Sequence, residues 1–79
     1  MTAEQAELIS SDPAVMGGQA VLTGSRVPVS VVLDCLAAGM TVDEILTEYP
    51  TVTTAGVRAA AAYGAELARE ELIPLNAPR

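Results

Sequence analysis

The pattern of apolar and polar residues changes character near Pro28. Before that point, apolar residues occur in pairs and triplets at positions 8–9 and 20–22, separated by Gly- and Pro-containing turn signals. These pieces predict short β-strands, and residues 26–27 are expected to fold back on residues 20–22 as a third piece. Residues 1–7 are small, polar and acidic, and we expect them to form a flexible lead-in.

After Pro28 the apolar residues recur at helical spacing. A first helix is predicted from Pro28 to Gly39, and a second begins at Thr41, whose hydroxyl can form a capping box with Glu44. Thr53 is expected to cap a third helix, which runs to about residue 72. Its packing face is predicted to consist of Val57, Ala60, Ala61, Gly64, Ala65, Ala68 and Leu72.

The domain organisation that follows is mainly α, with short N-terminal strands before three helices. Residues 8–72 are expected to form a single domain, and residues 73–79, broken by two prolines, a tail. A chain of 79 residues buries about 60% of the surface its unfolded form exposes. Because so small a core is thin, we expect a homodimer.

The residue types present exclude most catalytic chemistry. The chain has no histidine, no lysine and one cysteine, Cys35. A Cys/His zinc site, a Ser-His-Asp triad and a Schiff base therefore lack essential groups. Cys35 lies in an apolar run and is interpreted as a small buried hydrophobe. We expect a protein without catalytic residues, cofactor or metal.

Charge narrows the choice of partner. Ten acidic residues against four arginines give a net charge of −6. That balance disfavours tight binding of this chain alone to nucleic acid and favours a basic protein partner. No run of apolar residues reaches the roughly 18 needed to cross a bilayer, and the first residues do not resemble a signal peptide. We therefore expect a cytoplasmic protein with no membrane contact.

The three predicted helices have the proportions of a helix-turn-helix, although a plain helical core has the same pattern. In the DNA-binding interpretation, the third helix presents Thr53, Thr54 and Arg58 to the major groove, and Arg58 makes the strongest base contact. Arg26, on a glycine turn, is a candidate phosphate contact, but an internal ion pair is favoured for it. Glu66 and Arg69, three residues apart, are expected to pair within the helix.

One order of residues carries a family resemblance. It comprises Ile9, Asp12-Pro13, Met16-Gly17-Gly18, Val21, Thr23-Gly24-Ser25-Arg26-Val27-Pro28-Val29, Leu36-Ala37-Ala38-Gly39-Met40-Thr41 and Glu48-Tyr49-Pro50. From Ile9 to about Leu72, the chain resembles the small bacterial family called domain of unknown function 433. Ser25 stands where the family usually has threonine, and Gln19 stands where a lysine is frequent.

The resemblance implies short N-terminal strands followed by a homeodomain-like helix-turn-helix, with dimerisation through the N-terminal part. It also implies an antitoxin that binds and inhibits a PIN-like ribonuclease toxin, in the manner of the VapBC pairs, and that binds operator DNA as a dimer or toxin complex. The absence of lysine, including at Gln19, weakens the DNA contact more than the fold.

Two other functions remain open from the sequence: a stand-alone DNA-binding regulator, and a dimeric structural module. The C-terminal tail has two interpretations, and the first is a frayed terminus, as chain ends often are. Under the antitoxin hypothesis, its apolar residues anchor in a groove of the toxin and its terminal arginine reaches the toxin's metal-binding carboxylates. These candidate toxin-binding residues are Leu72, Ile73, Leu75 and Arg79.

Overall fold

The fold is mainly helical, with a small antiparallel sheet near the N-terminus. The computed structural model describes residues 1–14 and 16–70. Within them, the elements in chain order are α1 (Ala3–Glu7), β1 (Ile9–Ser10), a 3₁₀ turn (Met16–Gly18), β2 (Val21–Leu22), α2 (Val29–Ala37), α3 (Val42–Glu48) and α4 (Thr54–Glu70). No helix in this part of the chain is both long and apolar enough to span a bilayer.

The two strands are short, as predicted, and they pair with each other in antiparallel orientation. Ile9 is the cross-strand partner of Leu22, and Ser10 is the partner of Val21. The chain then turns back through residues 23–26, and Val21 forms an antiparallel bridge with Pro28. The predicted return of the chain is therefore present, with its bridge at Pro28 rather than at residues 26–27.

Residues 1–7, expected to form a flexible lead-in, contain the helix α1, which was not predicted. The Thr2 side chain accepts a hydrogen bond from the Gln5 backbone N–H at 3.0 Å, and the Gln5 side chain accepts one from the Thr2 N–H at 2.9 Å. This reciprocal capping box offsets the unpaired donors of a very short helix. Contacts with α4 hold α1 against the rest of the molecule.

The predicted second helix is confirmed as α3, including its cap. The Thr41 hydroxyl accepts a hydrogen bond from the Glu44 N–H at 3.1 Å, and the Glu44 carboxylate accepts one from the Thr41 N–H at 2.8 Å. Before it, α2 begins at Val29, with Pro28 at the N-cap position. Gly39 follows the end of α2 with a φ of 89°, which suits a residue without a side chain.

The longest helix, α4, begins after Thr53 as predicted. The Thr53 hydroxyl accepts a hydrogen bond from the Gly56 N–H at 3.0 Å, which satisfies one donor of the first turn. The predicted packing face is only partly correct. Ala59 is fully buried, whereas the predicted core residues Ala61, Ala65 and Ala68 are exposed. The buried face therefore includes Ala59, and α1, α2 and α3 all pack on α4.

The core lies where β2 and the last three helices meet. Its buried residues are Leu22, Val29, Val32, Ile45, Val52, Val57 and Ala60. The packing of α4 against α2 depends on a glycine at position 64, because a Cβ placed on Gly64 would lie 3.1 Å from a methyl group of Leu33. The small residues of α4 thus allow α2 to approach closely, as expected from the sequence.

Candidate functional site

The junction between α3 and α4 presents the residues that were candidates for DNA contact. Tyr49 ends α3 with a non-helical backbone before Pro50, and the Val52 N–H bonds to the Tyr49 carbonyl at 3.0 Å. The chain then enters α4. Thr53, Thr54 and Arg58 are all exposed there. Thr54 and Arg58 are four residues apart and therefore lie on one face of the helix.

Arg58 shares a groove with α1, which the sequence analysis did not anticipate. The groove has a volume of about 310 Å³ and is lined by Thr2, Glu4, Gln5, Leu8, Ala55 and Arg58. The carboxylate of Glu4 lowers the positive potential that Arg58 alone would create. The signal in the sequence was the capping motif Thr2-x-x-Gln5, which predicts a helix start at this position.

Arg26 lies in a different groove, of about 410 Å³. This groove is lined by Ser10, Asp12, Gln19, Val21, Gly24, Ser25 and Arg26. The internal ion pair favoured for Arg26 is not observed: in residues 1–14 and 16–70, no carboxylate pairs with this exposed guanidinium. The structure therefore separates Arg26 from the Thr53, Thr54 and Arg58 group, and each arginine has one acidic residue in its own groove.

The outer surfaces of α2 and α3 are acidic. Asp34 on α2 and three carboxylates on α3, those of Asp43, Glu44 and Glu48, are exposed. The sequence has no basic residue between positions 27 and 57 that could neutralise them. This part of the molecule repels polyanions and attracts cationic surfaces.

Glu66 accounts for both ion pairs observed among the described residues. Its Oε2 atom lies 3.0 Å from the Met1 ammonium group and 3.0 Å from the Arg69 guanidinium. The pairing of Glu66 with Arg69 within α4 is confirmed. Hydrogen bonds from the Met1 ammonium group and from Arg69 lower the pKa of the Glu66 carboxyl below its usual value. The Arg69 guanidinium is therefore already paired with Glu66 within the molecule.

Two further predicted features have different outcomes. Cys35 is a free thiol that packs against the core, as expected of a small hydrophobe, but it is half-buried rather than buried. The candidate toxin-binding residues lie outside the described part of the chain. They are Leu72, Ile73, Leu75 and Arg79.

Comparison with known proteins decides the family. The family model described as "Protein of unknown function (DUF433)" matches residues 9–64, which is more than half of the chain. The chain belongs to the DUF433 family. The matched segment begins at β1 and extends into α4, so it includes the small sheet, α2 and α3, and it leaves out α1. The resemblance stated from the sequence is confirmed.

Two relatives show how this DUF433 chain compares with others. It is 37% identical to the "Uncharacterized protein y4eO" of Sinorhizobium fredii over 57 residues, and this match covers 72% of the chain. The match covers 26% of that relative, so the chain spans about a quarter of its length. The crystal structure of a DUF433 member protein from Anabaena variabilis matches with a TM-score of 0.72 and 25% identity, covering 89% of this chain and 80% of that one.

Proposed function

We propose that this DUF433 protein is a non-enzymatic, antitoxin-like protein that binds and inhibits a basic PIN-like ribonuclease toxin. The observation that carries the proposal is the exposed acidic surface of α2 and α3, with Asp34, Asp43, Glu44 and Glu48 and no neighbouring cation in the sequence. A nuclease that binds RNA has a basic groove. Electrostatic attraction therefore favours its association with this surface and makes the association rate fall as salt is added.

Operator DNA is proposed as a ligand of the toxin complex rather than of this chain alone. In the helix-turn-helix interpretation, α4 reads the major groove through Thr53, Thr54 and Arg58, while α3 lies near the phosphates. Asp43, Glu44 and Glu48 on α3 then oppose DNA binding, and Glu4 lies in the same groove as Arg58. A basic toxin supplies the positive charge that the isolated chain lacks.

A homodimer is part of the proposal. In the described residues, β1 pairs with β2 on one side and has no strand on its other side, and such an edge is suited to pairing with another chain. Light scattering of the full chain at high micromolar concentration should give the mass of a dimer. A monomer mass at that concentration contradicts the dimer.

The antitoxin proposal is tested with the product of the neighbouring gene, assayed for RNA cleavage with and without this protein. The double variant Asp43→Asn/Glu48→Gln should inhibit more weakly, with the larger loss at low salt, because it removes two charges from α3. The matched control Glu4→Gln/Glu7→Gln removes two charges from α1 and should inhibit like the unmodified chain. Undiminished RNA cleavage in the presence of the unmodified protein contradicts the antitoxin role.

DNA binding is tested on a fragment of the protein's own promoter at moderate salt. The toxin complex should bind, and Arg58→Ala should weaken its binding by about 1–3 kcal/mol if the guanidinium contacts a guanine. Binding by the isolated chain as tight as by the complex would favour a stand-alone regulator instead. If neither the chain nor the complex binds DNA and the nuclease is not inhibited, a structural module is the better description.

A further inference from the structure

The groove beside Arg26 is built on the outer face of the small sheet. Ile9 and Leu22 are cross-strand partners, and Leu22 is buried in the core. Since side chains alternate along a strand, the next pair, Ser10 and Val21, faces away from the core. Both line the groove, and the turn at residues 23–26 contributes Arg26 to its wall.

The backbone of Arg26 is in a conformation that costs free energy. Its φ is 61°, in the left-handed region that glycine adopts freely and other residues disfavour. The Ser25 hydroxyl stabilises the turn, because it donates to the Leu22 carbonyl at 2.8 Å and accepts from the Val27 N–H at 3.0 Å. Yet the Arg26 side chain bonds to no described residue. Backbone strain that no side-chain contact within the fold offsets is typical of binding sites.

The other polar side chains of the groove also have unused hydrogen-bonding capacity. Neither Ser10 nor Gln19 forms a side-chain hydrogen bond within residues 1–14 and 16–70. Asp12 accepts one bond through Oδ1, from the Ala14 N–H at 2.9 Å. The groove thus combines N–H donors from Arg26 and Gln19 with a carboxylate acceptor from Asp12.

We propose that this groove binds an acidic peptide segment of a partner protein. The Arg26 guanidinium pairs with a carboxylate of the peptide, and Asp12 accepts a backbone N–H from it. A phosphate or a DNA backbone offers acceptors without such a donor, so it repels the Asp12 carboxylate with no hydrogen bond to offset the repulsion. The volume of about 410 Å³ lies in the range of ligand-binding clefts. This inference is independent of the acidic surface on α2 and α3 that carries the proposed function.

The direct test is nuclear magnetic resonance titration of the full ¹⁵N-labelled chain with the tripeptide acetyl-Gly-Glu-Gly-amide. The amide signals of Ser10, Gln19 and Arg26 should shift and saturate, because these residues line the groove. The matched probe acetyl-Gly-Gln-Gly-amide has the same shape without the charge and should leave these signals unchanged. Equal shifts with both tripeptides overturn the proposal.

Two variants separate ligand binding from a structural role. Arg26→Gly should weaken binding of the glutamyl tripeptide about tenfold or more, since it removes charge-assisted hydrogen bonds. It should not lower the thermal midpoint, because glycine adopts the turn conformation without strain. Arg69→Ala removes the same charge from α4 and should bind the tripeptide like the unmodified chain. Unchanged binding by Arg26→Gly overturns the proposal.

Inorganic phosphate distinguishes a peptide site from a general anion site. Phosphate should cause much smaller shifts than the tripeptide. Asp12→Asn keeps an acceptor oxygen but removes the negative charge, so it should narrow the difference in affinity between the tripeptide and phosphate. If phosphate binds as tightly as the tripeptide to the unmodified chain, the groove is an anion site and the peptide proposal is wrong.

Discussion

Residues 1–28 and residues 29–70 differ in how many buried apolar side chains they contribute to the core. Among the described residues, Leu22 is the one buried apolar side chain of the first region. The second region contributes Val29, Val32, Ile45, Val52, Val57, Ala59 and Ala60. The helical region therefore supplies most of the apolar burial, which is the main favourable contribution to folding.

The first region is organised by hydrogen bonds and unusual backbone conformations instead. Thr23 bonds through its N–H to the Leu8 carbonyl at 2.9 Å and through its hydroxyl to the Glu7 carbonyl at 3.1 Å. Three glycines and Arg26 have positive φ before residue 28, whereas Gly39 is the one such residue between 29 and 70. The comparison teaches that loss of side-chain volume should damage the helical region most, and loss of single hydrogen bonds should damage the first region.

The largest expected effect is in the helical core. Ile45→Ala should lower the free energy of unfolding by about 2–5 kcal/mol, because Ile45 is fully buried and its loss leaves a cavity. Urea denaturation measures the change. The adjacent Leu46 is half-buried, so Leu46→Ala is the control and should cost less. Equal losses for the two variants would contradict the central position of Ile45.

A hydroxyl in the first region is expected to matter next. Ser25→Ala removes both bonds of the Ser25 side chain and should lower the free energy of unfolding by about 1–2 kcal/mol. Ser25→Thr keeps the hydroxyl and should remain close to the unmodified protein. Thermal denaturation of the three proteins makes the comparison. If the alanine and threonine variants have the same midpoint, the turn does not depend on these bonds.

The cap of α3 provides a local hydrogen bond within the helical region. Thr41→Ala should lower the free energy of unfolding by about 1 kcal/mol, since the Glu44 N–H loses its acceptor. Thr41→Ser retains the hydroxyl and should behave like the unmodified chain in urea denaturation. A denaturant midpoint for Thr41→Ala that equals that of Thr41→Ser shows that the cap contributes nothing to stability.

The smallest expected effect is a pH dependence that links the first residue to α4. The pKa of Glu66 is lowered in the folded protein, so its ionised form favours folding. This contribution is present above the pKa of the unfolded chain and is lost as the pH falls through the folded pKa. Glu66→Gln should therefore be less stable than the unmodified protein at neutral pH and equally stable in strong acid. A difference that does not change with pH contradicts this assignment.

Local signals explain which elements could be predicted. The Thr41 capping box and the Thr53 cap each need residues within three positions of each other, and both helix starts are confirmed. The same logic applied to Thr2 and Gln5 predicts α1 as well. Apolar periodicity does not predict α1, because its five residues, none of them buried, carry no periodic apolar pattern.

The candidate site divides in the same way. The exposure of Thr53, Thr54 and Arg58 follows from their place at the start of α4. The surroundings of these residues do not follow from their place in the sequence, because Glu4 lines the Arg58 groove only when α1 packs on α4. The missing ion pair of Arg26 is a similar case: the excess of carboxylates favoured a pair, but the turn at residues 23–26 places Arg26 in a groove where the one carboxylate, that of Asp12, forms no ion pair with it.

The sequence by itself determined the family, the acidic charge and the succession of short strands and capped helices, since each depends on residue identity or on contacts between near neighbours. Only the tertiary structure decided which face of α4 is buried and which polar residues share a groove. Ser10 and Asp12 are separated in the chain from Gln19 and Arg26, and pairing of β1 with β2 brings them to one surface. Such long-range pairing depends on register and packing, which local pattern does not specify.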